Sequence, residues 1–236
     1  MGVPLSVIMP VFNEMSTVEE ILRRVWRSPI EKEVIVVDDG STDGTAQWLR
    51  ANGQALGPSR ILFLEHNCGK GAAVMAALRE ATGEAVIIQD ADLEYDPTEY
   101  ERVVGPILRG KADVVYGSRI RGNNPASYWR YYFGGRIVTL FTNLLYGANL
   151  TDMPTGYKAF RRAALTALPL KEQRFGFCAE VTALLLLRGI PIKEVPISYR
   201  PRRIEQGKKI RWVDGLRQLW ILLKMRLTGS RTETPR

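Results

Sequence analysis

The chain has 236 residues, 45% of them apolar, enough for one large domain with a substantial core, and no composition break argues for a second. Its 33 basic and 25 acidic residues leave a formal charge of +8, so partners carrying negative charge are expected. The longest unbroken apolar run, Ala72 to Leu78, falls far below the ~20 residues of a membrane-spanning helix, and Met1-Gly2-Val3-Pro4 opens without a basic segment or apolar signal core, so neither a span nor secretion is expected.

Leu5 to Phe12 is apolar but for Ser6, the pattern of a central parallel strand. It ends in Asn13-Glu14, and Ser16-Thr17-Val18-Glu19 then opens a helix with a capping-box pattern. Glu33 to Val37 repeats the strand, ending in Asp38-Asp39-Gly40-Ser41 before a helix through Trp48-Leu49. Arg60 to Leu64 is a third strand, followed by Glu65 to Gly71 and an alanine-rich helix to Ala81. Ala85-Val86-Ile87-Ile88 is a fourth, and Asp113 to Tyr116 a fifth, ending in Gly117-Ser118-Arg119. Strands alternating with helices, each followed by a polar turn, predict a doubly wound, mostly parallel α/β sheet flanked by helices.

After the loop Gly122 to Pro125 the character changes. Tyr131 to Tyr146 reads as an aromatic-rich helix, Asp152 to Gly156 as a turn into Tyr157-Lys158-Ala159-Phe160, and Arg161 to Leu168 as helical. Ala179-Glu180 opens an apolar helix through Leu187. Ile190 to Tyr199 alternates and contains Pro191 and Pro196, which suits an edge strand. Arg211 to Leu227 is an amphipathic helix with Trp212, Leu216, Leu219, Trp220 and Leu223 on one face and Arg217, Lys224 and Arg226 elsewhere, a pattern that fits either a membrane interface or a helix packed on the sheet. A disordered tail is expected from Gly229 onward. Cys68 and Cys178 have neither CxxC spacing nor a histidine partner and read as free thiols of a reducing compartment.

The turn behind the fourth strand, Gln89-Asp90-Ala91-Asp92-Leu93-Glu94, concentrates acids at a strand's carboxyl end, where α/β sheets bind ligands. An Asp-x-Asp turn there aims hard oxygen ligands at one point and suits a divalent metal bridging a diphosphate. The alternative is that Asp92 or Asp96 caps the helix starting near Pro97. The first strand lacks G-x-G-x-x-G, which argues against a nicotinamide site, and Walker A is absent too. The strand ends instead offer carboxylates and Lys70 in a glycine-flanked turn, fitting a nucleotide held through base and diphosphate.

VIMPVFNE, VIVVDDGSTDGT, NCGKGAA, IIQDADLEYDP, DVVYGSR, TDMPTGYKAF and GKKIRW, in this order, resemble a family 2 glycosyltransferase of the GT-A fold. Within that family the chain is similar to the dolichol-phosphate mannosyltransferase group and its bacterial relatives, which load sugars onto polyprenyl phosphates. The resemblance implies one domain over 1–228, with a nucleotide-sugar half (1–120) and an acceptor half (121–228), before a tail over 229–236. It implies that Pro10, Phe12 and Glu14 line the nucleoside pocket, that Asp38 reads the base, and that Lys70 approaches the nucleotide. Asp90, Ala91 and Asp92 would face the diphosphate, with Asp90, Asp92 and Glu94 holding Mg²⁺ or Mn²⁺. Arg119, Arg130 and Arg202 would gather around the acceptor phosphate and donor diphosphate, and Lys209 would lie in a loop that closes over donor. Asp39 would support its turn. Asp152 is the position sometimes assigned as base, and Glu180 also falls in a family motif; either would alternatively orient its surroundings.

The single histidine, His66, precedes a loop and reads as structural. A sugar hydroxyl needs a base to attack, whereas a phosphate monoester, with a second pKa of ~6, is already largely anionic. The poor supply of bases therefore suits a phosphate acceptor. The expectation is an inverting hexosyltransferase using GDP-mannose or UDP-glucose and a dolichyl or undecaprenyl phosphate, peripheral on the cytoplasmic face of a membrane, with room for an integral-membrane partner and none for nucleic acid. The rivals are a GT-A enzyme acting on a hydroxyl acceptor and a non-catalytic nucleotide-binding protein.

Overall fold

A computed structural model describes residues 3–57, 59–122, 124, 129–202 and 212–229, with the side chains of 129–131 excluded. Its centre is a seven-stranded sheet of order β3-β2-β1-β4-β6-β5-β7. The strands are β1 (Leu5–Val11), β2 (Lys32–Asp38), β3 (Ser59–Phe63), β4 (Ala85–Ile88), β5 (Val114–Ser118), β6 (Lys158–Arg161) and β7 (Ile192–Pro196). The helices are α1 (Val18–Arg27), α2 (Thr45–Asn52), α3 (Lys70–Glu80), α4 (Tyr100–Leu108), α5 (Trp129–Tyr146), α6 (Arg162–Thr166), α7 (Phe177–Leu187) and α8 (Trp212–Gly229).

Strands buried on both faces need apolar residues on both, and the central stretches of β1 and β2 supply them. Along β1 and β2, Val7, Met9, Val34 and Val36 join one core with α1 and α4, while Ile8, Ile35 and Val37 join another with α3 and α7. A third cluster, including Val138, Met153, Ala183 and Leu222, packs α5, α7 and α8 together. β1 lies between β2 and β4, parallel to both, so the chain reverses its direction of winding there. That switch point opens a crevice beyond the strands' carboxyl ends.

β6 is antiparallel to both β4 and β5. In sequence these residues read only as a turn into Tyr157-Lys158-Ala159-Phe160, because four residues carry too little periodicity to announce a strand; pairing with β4 on one side and β5 on the other creates it. β7 lies at the sheet edge, as its prolines suggest. The capping box at Ser16 does not form: α1 starts at Val18 behind Thr17, which makes no side-chain cap and instead donates to the Glu14 carboxylate at 2.8 Å. Glu19 pairs with Arg23. Gly229 is the last residue of α8, not the start of a tail, since the apolar face carries the helix that far; 230–236 lie outside the described residues.

Candidate active site

Of the described residues with positive φ, the only two that are not glycine, Asn13 (51°) and Leu93 (62°), sit in the turns after β1 and β4, on either side of the switch point. Such backbone costs on the order of 1 kcal/mol or more and is kept where the surrounding structure imposes it, commonly at ligand sites. Behind Leu93, Asp96 accepts from the Thr98 amide at 3.0 Å and caps the single 3₁₀ turn Pro97–Glu99. Capping therefore falls to Asp96. Asp90 and Asp92 are left at the crevice.

The strand ends and the segments after β5 and β7 enclose a cavity of about 1400 Å³. From the first half Pro10, Phe12, Glu14, Lys70, Asp90 and Ala91 line it. Asp92, Glu94, Arg119, Asp152 and Arg202 line it as well. The Arg130 side chain and Lys209 lie outside the described residues.

Two cations reach into the acidic wall. Lys70, at the start of α3, places Nζ 2.5 Å from Asp90 Oδ1; burial would lower its pKa, but the Asp90 carboxylate raises it above the ordinary lysine value. The turn before it is pinned from both sides. Asp39 accepts from the Cys68 and Gly69 amides at 2.7 and 2.8 Å, and so supports this turn, where the resemblance implies its own. Gly71 lets the 172–173 backbone approach so closely that a Cβ would meet Glu172 O at 2.1 Å. Arg202 donates from Nε to the Asp92 carbonyl at 2.8 Å and forks onto both oxygens of Glu14. The Asp92 carboxyl is pushed up to about 7, first by burial and then by Asp90 and Glu94, with Arg202 pulling the other way.

Glu94 departs from its expected part as a third metal ligand. Its carboxylate accepts from Tyr199 OH and from the Arg202 amide, both at 2.8 Å, and among the described residues no three His, Cys, Asp or Glu side chains gather closely enough to hold a metal. Asp90 and Asp92 remain a donor set suited to Mg²⁺ or Mn²⁺: both are hard oxygen ligands, and the repulsion that raises Asp92 is what a bound cation relieves.

Asp38 also departs from expectation. It is 1% exposed beneath the cavity wall, which Asp39 lines in its place. One carboxylate oxygen accepts from the Ser41 amide at 3.1 Å, closing the turn, and the other is buried without a partner among the described residues.

On the opposite wall, Asp152 accepts from Arg119 three times, from the backbone amide at 2.9 Å, Nε at 2.8 Å and Nη2 at 2.7 Å. Burial raises the Asp152 pKa, yet the Arg119 charge and hydrogen bonds hold it below the ordinary aspartate value. An ionised carboxylate so fully engaged suits the second of the two parts the sequence left open, orienting its surroundings, better than that of a base. Glu180 accepts from the Lys171 and Glu172 amides and organises that loop. His66 is exposed.

The reading of the sequence passes over Tyr95 and Tyr199, which frame Arg119. Tyr95 OH accepts from the Gly156 amide at 2.9 Å, and Arg119 sits 5.1 Å from the Tyr199 ring centroid. Gly156 is needed because a Cβ there would meet Asp90 Oδ2 at 2.5 Å. Arg174, beside Lys70 on the cavity wall, was also passed over. In sequence each looks like an isolated surface residue, and only the Tyr in DLEYDP adjoins a motif.

The profile of Glycosyl transferase family 2 matches residues 6–168, which include β1 to β6 and both walls of the cavity. The chain belongs to this family. An undecaprenyl-phosphate mannosyltransferase of Micrococcus luteus is 30% identical over 85% of this chain and 85% of its own length. A low-salt glycan biosynthesis hexosyltransferase of Haloferax volcanii is 29% identical over 93% of this chain. An undecaprenyl-phosphate 4-deoxy-4-formamido-L-arabinose transferase of Pseudomonas aeruginosa is 34% identical over 73%. The chain spans only 53% and 51% of the latter two. Among solved structures, glucosyl-3-phosphoglycerate synthase of M. tuberculosis aligns with a TM-score of 0.71 at 21% identity, over 99% of this chain and 82% of that one. That likeness shows the GT-A fold. The synthase has been crystallised with Mn²⁺, UDP and its glucosylated product.

Proposed function

We propose that this glycosyltransferase moves a hexose, from GDP-mannose or UDP-glucose, onto a polyprenyl phosphate with inversion at the anomeric carbon. The observation that carries the reading is the Arg119–Asp152 pair. It offers a fixed guanidinium to an anion and leaves Asp152 no freedom to deprotonate a hydroxyl. The phosphate oxygen attacks in one displacement opposite the leaving diphosphate. Asp90 and Asp92 hold Mg²⁺ or Mn²⁺, which when bound neutralises charge building on that diphosphate. Lys70 and Arg202 meet the same charge from the protein side. Pro10 and Phe12 receive the nucleoside, in the cavity that Asp39 also lines. Arg130 and Lys209 join the phosphate contacts on resemblance alone.

An exposed apolar face supports a lipid acceptor. On α5, Phe133, Ile137, Leu140 and Leu144 (75% exposed) follow one another at helical spacing, and on α8 Trp212 (77% exposed), Leu216, Trp220 and Leu227 do the same. Trp212 and Tyr132 also line the cavity, so its mouth borders this face. Among the described residues no helix is long and apolar enough to cross a membrane. A surface of tryptophan and leucine with Arg217, Lys224 and Arg226 on α8 suits the interface of an anionic bilayer, and we place it on the cytoplasmic leaflet.

The test incubates the full chain with Mn²⁺ or Mg²⁺, GDP-mannose or UDP-glucose, and farnesyl phosphate or farnesol, and identifies products by mass. A glycosylated farnesyl phosphate, with farnesol untouched, is the expected result. Transfer to farnesol alone would establish the hydroxyl-acceptor rival.

A further inference from the structure

Lys158 is the first residue of β6 and has none of its surface exposed. Its Nζ donates to the Met153 carbonyl at 2.6 Å and lies 3.5 Å from the centroid of the Tyr116 ring. Burying an ammonium against a neutral carbonyl and a ring face is costly, and an apolar side chain would fill the sheet position without that cost. The carbonyl it holds belongs to the residue after Asp152.

Three elements fasten this turn by side chains distant in sequence. Glu194 of β7 accepts from the Thr151 amide on both oxygens and from the Asp152 amide on one, each contact 3.0 Å or shorter. Thr139 of α5 accepts from the Met153 amide at 3.1 Å. Lys158 supplies the cationic tie. The Asp152 carboxylate, fixed by this frame, grips Arg119. Rotation of the Met153 peptide would swing Asp152 and with it the guanidinium.

Resting on the reading that Arg119 receives the acceptor phosphate, we propose that Lys158 is a positioning residue of the transfer: through the Met153 carbonyl it sets the Asp152 turn and so the direction in which Arg119 meets that phosphate. A charged donor makes roughly twice as strong a hydrogen bond as a neutral one, so the tie weakens when the ammonium discharges. Burial lowers that discharge to about 8. The groups facing it are Cys178 of α7 and Asp152, which favour the charge, Arg119 and Lys70, which oppose it, and the Tyr116 ring of β5.

The experiment compares wild type with Lys158→Met. It measures kcat/KM and Kd for farnesyl phosphate, and Kd for Mn²⁺ with UDP or GDP, between about pH 6.5 and 9.5; the acceptor phosphate is already dianionic over most of that range. Lys158→Met is expected to lose about tenfold in kcat/KM for farnesyl phosphate, the size of one charged hydrogen bond, while nucleotide affinity stays within about twofold. Wild type is expected to decline with a midpoint near pH 8, and the variant to lack that decline. Wild-type kcat/KM in Lys158→Met, or a wild-type profile flat across the alkaline range, would overturn the assignment. Should Lys158→Met fail to fold, the wild-type profile and the pH dependence of wild-type farnesyl phosphate binding decide. A wild type that neither binds nor glycosylates farnesyl phosphate defeats the acceptor reading itself. A working wild type with an indifferent variant defeats only the role of Lys158.

Discussion

Asp92 and Asp152 line one cavity, the first half-buried and the second buried, and their ionisation is shifted in opposite directions. Asp92, in the turn after β4, is pushed up to about 7 by burial and by Asp90 and Glu94. Asp152, behind β5, is pulled below the ordinary value by Arg119 in spite of burial. Burial acts in the same direction on both, so the neighbours decide the outcome. The first wall has negative charge in excess and is built to take up a cation; the second already holds its cation and presents it to an anion. A donor diphosphate with its metal and an acceptor phosphate are the two partners this division serves.

Removing either aspartate tests the division. Asp92→Asn should cut turnover with saturating Mn²⁺ by about a thousandfold or more, because charge on the leaving group is then unmet. Circular dichroism should show an intact fold, and near wild-type turnover would end the assignment. Asp152→Asn should cost about a hundredfold in kcat/KM for farnesyl phosphate, since Arg119 loses a charged partner and its orientation. Nucleotide binding by calorimetry should be little changed. If nucleotide affinity falls equally, the two walls do not divide the substrates.

A subtler consequence concerns stability. A carboxyl whose folded pKa exceeds its unfolded value near 3.8 binds more protons in the folded state, so its contribution to stability declines as pH rises from about 4 to about 7. In chelator, Asp92→Asn should therefore melt above wild type at pH 7.5 and lose that advantage near pH 4. Mn²⁺ should raise the wild-type melting temperature and not that of the variant. A constant gap across this range would show that Asp92 does not carry the raised pKa.

The apolar face predicts a smaller effect, confined to membranes. Leu144→Glu with Trp220→Glu should lower flotation with phosphatidylglycerol vesicles several-fold, with the nucleotide Kd unchanged, because each charge opposes insertion of an exposed apolar stripe. Equal flotation would remove the bilayer from that surface. The smallest effect belongs to His66→Ala, at an exposed loop position, where turnover should stay within about twofold and stability within about 0.5 kcal/mol.

Sequence by itself determined the parallel half and the acidic turn, because both are written locally. Leu5 to Val11 is apolar at every step but Ser6, and Ala85 to Ile88 is apolar throughout, as suits strands covered on both faces, and polar residues mark where they end at the switch point. Only tertiary structure decided how the charged residues were spent. Asp152 meets Arg119 across 33 residues, Glu94 meets Tyr199 across 105, and Glu14 meets Arg202 across 188. A carboxylate's role as ligand, base or clamp depends on which cation lies within about 3 Å, and no local pattern encodes that distance. The same holds for β6, four residues made a strand by two neighbours, and for Lys158, whose buried charge is visible only once the sheet has closed around it.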